Sequence, residues 1–236
     1  PPRSTLFPYT TLFRSSTNLV LAPETAIPEV WEDSCKLSCK VKNEIQQLLR
    51  PFPKASFAGG VISHVGVDAA KSAFSGIPGA TGDNGCQSYN SVFLTANSGE
   101  FQFCHKNRLV AGVEYQPIHK YLKFLPDLLI DLGGETRELT AGEKPAVFTT
   151  RQGWVIGPVI CFESVFGDYV RQLPLHGAEY LVVLTNDGWW KHSSGVWQHF
   201  GYSRLRSIET RRYAVRSANT GDRKSTRLNS SHITIS

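Results

Sequence analysis

The sequence predicts an α/β domain in which helices cover a mixed β-sheet. Three observations carry this reading. Short apolar runs that suit strands alternate with longer stretches that suit helices, the pattern of a layered architecture. Two pairs of runs are separated by tight turns, so some neighbouring strands are antiparallel and the sheet is not purely parallel. Three runs stop at a residue with a reactive side chain, which is where a rigid sheet can hold groups around a common cleft.

Each element follows in chain order. "NLVLAPE" (18–24) reads as a buried strand that stops at Pro23 and Glu24. "CKLSCKVKNEIQQLLR" (35–50) reads as a helix stopped by Pro51, since proline can neither donate to the ladder nor fit beside the preceding turn. "ASFAGGVISHVGV" (55–67) is a strand, and "GIPGATGDNGCQ" (76–87) is a glycine-rich loop. "SYNSVFLT" and "EFQFCHK" are strands joined by the turn "ANSG", a hairpin. A long segment, 107 to 143, carries the apolar patch "YLKFLPDLLI" (121–130). "AVFTT" and "GWVIGPVICF" form a second strand pair around Arg151 and Gln152, and "SVFGDYVRQLPL" is a short helix. "AEYLVVLTND" is a buried strand. "GVWQHFGYSRLRSIETRR" is a helix with Val196, Phe200, Leu205 and Ile208 on roughly one face. "YAVRSANTG" is the last strand, and no internal repeat is present.

Composition narrows the function classes. The chain has 236 residues, of which 41% are apolar, enough for one domain with a real core. No run approaches the roughly 18 to 20 apolar residues of a membrane span, and the start shows no secretory signal pattern. The net charge of +5 is concentrated at the ends. Residues 1–15 hold Arg3 and Arg14 without an acid, and residues 222–236 hold Arg223, Lys224 and Arg227 against Asp222. The stretch between is left at +1, which gives no electrostatic case for a nucleic-acid partner.

The two ends look foreign. "PPRSTLFPYTTLFRS" has a near-mirror form, "DRKSTRLNSSHITIS" shows no apolar periodicity, and the chain contains no Met. Both resemble translated sequencing-adapter DNA. The expected organisation is therefore a foreign or disordered tail at 1–15, a partial catalytic domain at 16–221, and a second tail at 222–236. Five cysteines (Cys35, Cys39, Cys86, Cys104, Cys161) are an odd number, so at least one is unpaired within the chain. Cys35 and Cys39 lie one helical turn apart, and no second pair has zinc spacing, so they read as ordinary helix residues and no metal is expected.

The three strand ends with reactive groups are Glu24, Lys106 and Cys161. A thiolate is a nucleophile that needs a base or a lowered pKa. A carboxylate can be that base, and an ammonium can stabilise both the thiolate and the oxyanion formed on attack. Taken singly, each has an ordinary explanation. A buried Cys is usually a small hydrophobe, Glu24 can start a helix, and Lys106 can be a solvated lysine.

Together with their surroundings they change the reading. "PETAIP", "HKNRLVAGVEYQP", "GPVICFES", "LTNDGWW" and "RSIETRRYAVRSANTG" resemble the nitrilase, or carbon–nitrogen hydrolase, superfamily. Within it they look most like the bacterial apolipoprotein N-acyltransferases, in the family's order from about residue 18 to residue 221. The resemblance implies a nitrilase-like α-β-β-α sandwich, incomplete at both ends. It implies Glu24 as general base, Lys106 as the oxyanion-stabilising lysine and Cys161 as nucleophile. Glu114 would position the base and the lysine. Glu163 would support the nucleophile, and the turn after Phe162 would supply backbone N–H groups.

The implied reaction moves an acyl chain from a phospholipid, through a cysteine thioester, to the N-terminal amine of a diacylglyceryl-cysteine lipoprotein, with no metal or organic cofactor. The implied setting is the bacterial inner membrane, reached through segments outside this chain, with the catalytic domain facing the periplasm. The sequence departs from the family at Ala111, where many members have Pro, and after the aromatic pair Trp189–Trp190, where a Gly is common. Two other readings stay open: a soluble amidase or nitrilase using water as acceptor, and an inactive module that only binds.

Overall fold

The computed structural model describes residues 17–31, 39–66, 86–96, 99–115, 139–190 and 193–219. The end segments 1–15 and 222–236, Cys35, most of the glycine-rich loop and the "YLKFLPDLLI" patch lie outside the described residues. No described helix is long and apolar enough to cross a membrane.

Two mixed sheets form. In the first, β1 (Leu19–Leu21) and β2 (Ile27–Trp31) share one edge of β3 (Ser56–Gly66), both parallel to it. β1 lies beside the start of β3, with Leu19 opposite Ser56, and β2 lies further along, with Ile27 opposite Val61. β4 (Cys86–Ala96) runs antiparallel to β3 along its whole length, and β5 (Phe101–His105) runs antiparallel to β4. The second sheet places β6 (Phe148–Thr149) antiparallel to β7 (Val155–Ile160), then β8 (Tyr180–Thr185) and β9 (Tyr213–Ala218) parallel to it.

Strand side chains alternate between faces, and the alternation builds the layers. Phe57, Val61 and Phe93 face α1 (Cys39–Leu49), which covers them with Val41, Ile45, Leu48 and Leu49. Ala58, Val92, Leu94 and Cys104 face the other way and pack on Phe148, Ile156, Ile160, Val182 and Leu184 of the second sheet. Val159, Leu181 and Val183 point out of that sheet toward α2 (Gly167–Val170) and α3 (Gln172–Leu175), where Tyr169, Val170 and Leu173 cover them. The order of layers is therefore α-β-β-α, and the strand ends of both sheets meet at one rim.

Four elements differ from the sequence reading. β2 at Ile27–Trp31 is a strand where the sequence reading has none and where Glu24 could have started a helix. Cys86 and Gln87 belong to β4 and not to the preceding loop, because they continue its pairing with Val65 and Gly66. The expected helix over 164–175 is broken into a 3₁₀ turn at Cys161–Val165 followed by α2 and α3. Pro174 has no N–H for the Val170 carbonyl, so one continuous ladder cannot form. In α4 (Gly195–Thr210) the buried residues are Gly195, His199, Ser203 and Arg206. Leu205 and Ile208, expected on the inner face, are 41% and 72% exposed. Hydrophobicity alone misassigned that face, because the helix turns His199 inward to bond the Cys161 carbonyl and face the Asp187–Arg216 pair.

Candidate active site

Three strand ends converge between the sheets. Glu24 sits in the turn between β1 and β2, and Thr25 beside it has φ 51°. This turn lies against the middle of β3. A Cβ at Gly60 would come within 2.5 Å of the Glu24 Cα and 2.7 Å of the Pro23 carbonyl oxygen, while the Gly60 N–H donates to that oxygen at 3.1 Å. Only glycine permits so close a backbone approach. Lys106 directly follows β5, and its N–H donates to the Asn90 carbonyl at 2.8 Å, which prolongs the β4–β5 ladder.

Lys106 is almost fully buried and lies between two carboxylates. Its Nζ is 2.8 Å from Glu114 Oε1 and 3.3 Å from Glu24 Oε1. Burial works against its charge, but Glu24, Cys161 and Glu114 outweigh that and raise its pKa, which favours the ammonium form. Asn90 donates from one amide nitrogen to both carboxylates, at 2.8 Å to Glu24 and 2.7 Å to Glu114. The Asn186 N–H donates to Glu24 Oε2 at 2.9 Å, and the Val110 N–H donates to Glu114 Oε2 at 2.8 Å. Both carboxylates are thus held by donors on each oxygen, which fixes their planes.

Cys161 is the first residue after β7, only 9% exposed, with φ 50°. A non-glycine residue in the left-handed region costs about 1 to 2 kcal/mol, and such strain persists where the surroundings hold it. The thiol reaches the Thr185 hydroxyl and the Glu24 carboxylate. Burial, then the Glu24 charge, push its pKa up to about 12, against the opposing pull of Lys106 and Thr185. A resting thiol therefore faces a carboxylate that can take its proton.

Glu163 is fully buried and ties the two sheets together. Its Oε1 accepts from the Asn107 and Arg108 N–H groups at 2.6 and 3.3 Å, and its Oε2 accepts from the Ile160 N–H at 2.8 Å. The Lys106 strand end and the Cys161 turn are thereby held in fixed relation. Burial pushes Glu163 up to about 7, although those N–H groups and Lys106 oppose it. Phe162 is half-buried and packs edge-on against Phe166, with centroids 5.6 Å apart. Among the other cysteines, Cys104 lies in the core between the sheets, where burial and then Glu163 push it up to about 12. That is the setting of an inert thiol.

The sequence reading missed Asn90, Gly60, Thr185 and the Asn186 N–H. Asn90 carried a signal, because period-two alternation puts it on the same face as Val92 and Leu94. A glycine pair inside the β3 pattern was another.

The chain is similar to known proteins in sequence and in fold. Apolipoprotein N-acyltransferase from Chlorobaculum tepidum is 38% identical over 137 residues, covering 56% of this chain and 26% of that protein. Those from Geobacter metallireducens and Methylococcus capsulatus are 29% and 31% identical over 87% of this chain and 35% of each protein. The chain thus spans about a quarter to a third of the curated relatives it matches. Nit3 of Saccharomyces cerevisiae, a member of branch 10 of the nitrilase superfamily, superposes with a TM-score of 0.60 at 15% identity, over 94% of this chain and 71% of that one. A CN-hydrolase superfamily protein of Xanthomonas campestris does so with a TM-score of 0.53 at 15% identity, over 90% and 67%. Residues 9–234 match the family described as carbon-nitrogen hydrolase, and the chain belongs to that family.

Proposed function

We propose that this chain carries the catalytic centre of an N-acyltransferase that moves an acyl chain from a phospholipid to the N-terminal amine of a diacylglyceryl-cysteine lipoprotein. The observation that supports it most is the buried Lys106 held between Glu24 and Glu114, with the Cys161 thiol against Glu24. The names of the relatives supply the acceptor class.

Glu24 takes the thiol proton as Cys161 Sγ attacks the ester carbonyl. With the thiol pushed up to about 12, little thiolate stands ready at neutral pH, so proton removal and attack are coupled. Lys106 and backbone N–H groups at the Cys161–Phe162 turn stabilise the oxyanion. Its collapse expels the lysophospholipid oxygen, which takes the proton from Glu24, and leaves a thioester. The lipoprotein amine then attacks the thioester carbonyl, Glu24 accepts the proton that the amine loses, and the Cys161 thiol is restored. Glu114 and Asn90 hold Lys106 and Glu24 in place, and Glu163 holds the nucleophile turn. The setting is the bacterial inner membrane, with this domain on the periplasmic side.

The full protein, given a phospholipid with a labelled acyl chain and a diacylglyceryl-cysteine peptide, should yield an N-acylated peptide. Release of free labelled fatty acid with the peptide unmodified would instead assign it a hydrolytic reaction with water as acceptor.

A further inference from the structure

Two motifs picked out in the sequence, "LTNDGWW" and "RSIETRRYAVRSANTG", contribute side chains that none of the steps above uses. Asp187 from the first, at the end of β8, and Arg216 from the second, on β9, are joined by His199 of α4, which lies outside both motifs. They meet beneath the nucleophile turn. Arg216 is locked onto Asp187 by two bonds of 2.7 Å, one from each terminal nitrogen. Such a fork fixes a guanidinium in orientation as well as position. Its Nη2 also lies 3.0 Å from His199 Nδ1, and His199 Nε2 lies 2.9 Å from the Cys161 carbonyl oxygen.

A carbonyl oxygen only accepts, so Nε2 carries the proton. Nδ1 lies 3.0 Å from Arg216 Nη2 and 3.3 Å from Asp187 Oδ1, so both members of that pair face the ring. The imidazole therefore passes a fixed orientation from the Asp187–Arg216 pair to the backbone of Cys161. The same carbonyl accepts from the Ser164 hydroxyl at 2.9 Å. A residue at φ 50° thus has its carbonyl pinned from two sides. Asp187 has a second link to the site, because the Thr185 hydroxyl that reaches the thiol lies 3.3 Å from Asp187 Oδ1.

We infer that Asp187, Arg216 and His199 are positioning residues for the nucleophile, and that the Nε2–H bond to the Cys161 carbonyl holds the left-handed backbone that aims the thiol at Glu24 and Lys106. This rests on Cys161 as the nucleophile. It also explains why α4 buries an imidazole: His199 is 2% exposed on the inner side of the helix because it carries the brace.

The test is the alkylation rate of Cys161 by iodoacetamide in the full protein, read by peptide mass, alongside thermal unfolding and acyl-enzyme formation. His199→Phe fills the space but removes the donor and should slow alkylation and acyl-enzyme formation about tenfold, the effect of one lost hydrogen bond. His199→Gln can place an amide N–H near the Nε2 position and should stay within about threefold of the unmodified protein. His199→Asn, whose amide falls short of the carbonyl, should behave like His199→Phe. The Gln-against-Asn contrast decides the matter if the Phe variant fails to fold, since a merely structural role would not restore reactivity through one amide and not the other. Equal rates for the Gln and Asn variants, or a folded Phe variant within twofold of the unmodified protein, would overturn the inference alone. Absence of Cys161 alkylation in the unmodified protein would sink the nucleophile assignment and the inference with it.

Discussion

Two helices of the sandwich, α1 and α4, bury opposite kinds of side chain. The first presents Val41, Ile45, Leu48 and Leu49 to the first sheet. The second buries Gly195, His199, Ser203 and Arg206, and leaves Leu205 and Ile208 exposed. The α1 helix is held by removal of apolar area from water. On α4 the directed contacts are those of His199, whose Nε2 bonds the Cys161 carbonyl and whose Nδ1 faces the Asp187–Arg216 pair. The contrast separates a helix that stabilises the fold from a helix that shapes the site.

Substitutions should respect this division. The largest effect belongs to the site. Glu24→Gln keeps the shape and removes the base, and turnover should fall by about 10² to 10⁴. The Glu24 charge is also one of the two causes that hold the Cys161 thiol at about 12. Its loss should move iodoacetamide labelling of Cys161 to lower pH even as acyl transfer disappears. A labelling profile that stays in place would mean that Glu24 does not face the thiol.

Leu49→Ala, in α1, should cost about 2 to 5 kcal/mol of stability in urea titrations. It should leave the Cys161 alkylation rate of the folded fraction unchanged. A slowed rate would break the comparison, because it would show that α1 also shapes the site.

Glu163 predicts a pH dependence. Its pKa rises from 4.5 to about 7 on folding. Between those values the folded state holds a proton that the unfolded state has released. The contribution to stability is therefore complete below pH 4.5 and is lost as the pH rises through about 7. The loss from this group is on the order of 3 kcal/mol. Stability measured against pH should drop across that window, and Glu163→Gln should flatten the drop. Parallel curves for the two proteins would contradict the buried tie between the sheets. The smallest effect is at Ile208, where a change to Ser should alter stability by no more than about 0.5 kcal/mol. A larger loss would place that face against another part of the protein.

Much of this was legible in the sequence because strands advertise themselves. An apolar run that stops at a reactive residue told where Glu24, Lys106 and Cys161 would lie, and two runs around "ANSG" told that β4 and β5 form a hairpin. The α4 face was not legible. Periodicity weighs side chains by their affinity for water, and Leu205 and Ile208 dominated that weighting. The energy that orients α4 comes from partners distant in sequence, with Asp187 and Arg216 twelve residues before and seventeen after His199. Asn90 was hidden for a related reason. One amide among Val92 and Leu94 looks like a tolerated exception until two buried carboxylates are found opposite it.

The central claim is that Cys161 becomes acylated, and the most direct measurement is the mass of the protein after exposure to phospholipid without an amine acceptor. We predict a single added acyl chain on the peptide that contains Cys161, released by neutral hydroxylamine as a thioester is, and absent in Cys161→Ser. An adduct on another residue, an adduct that resists hydroxylamine, or no adduct while acyl transfer proceeds would contradict it.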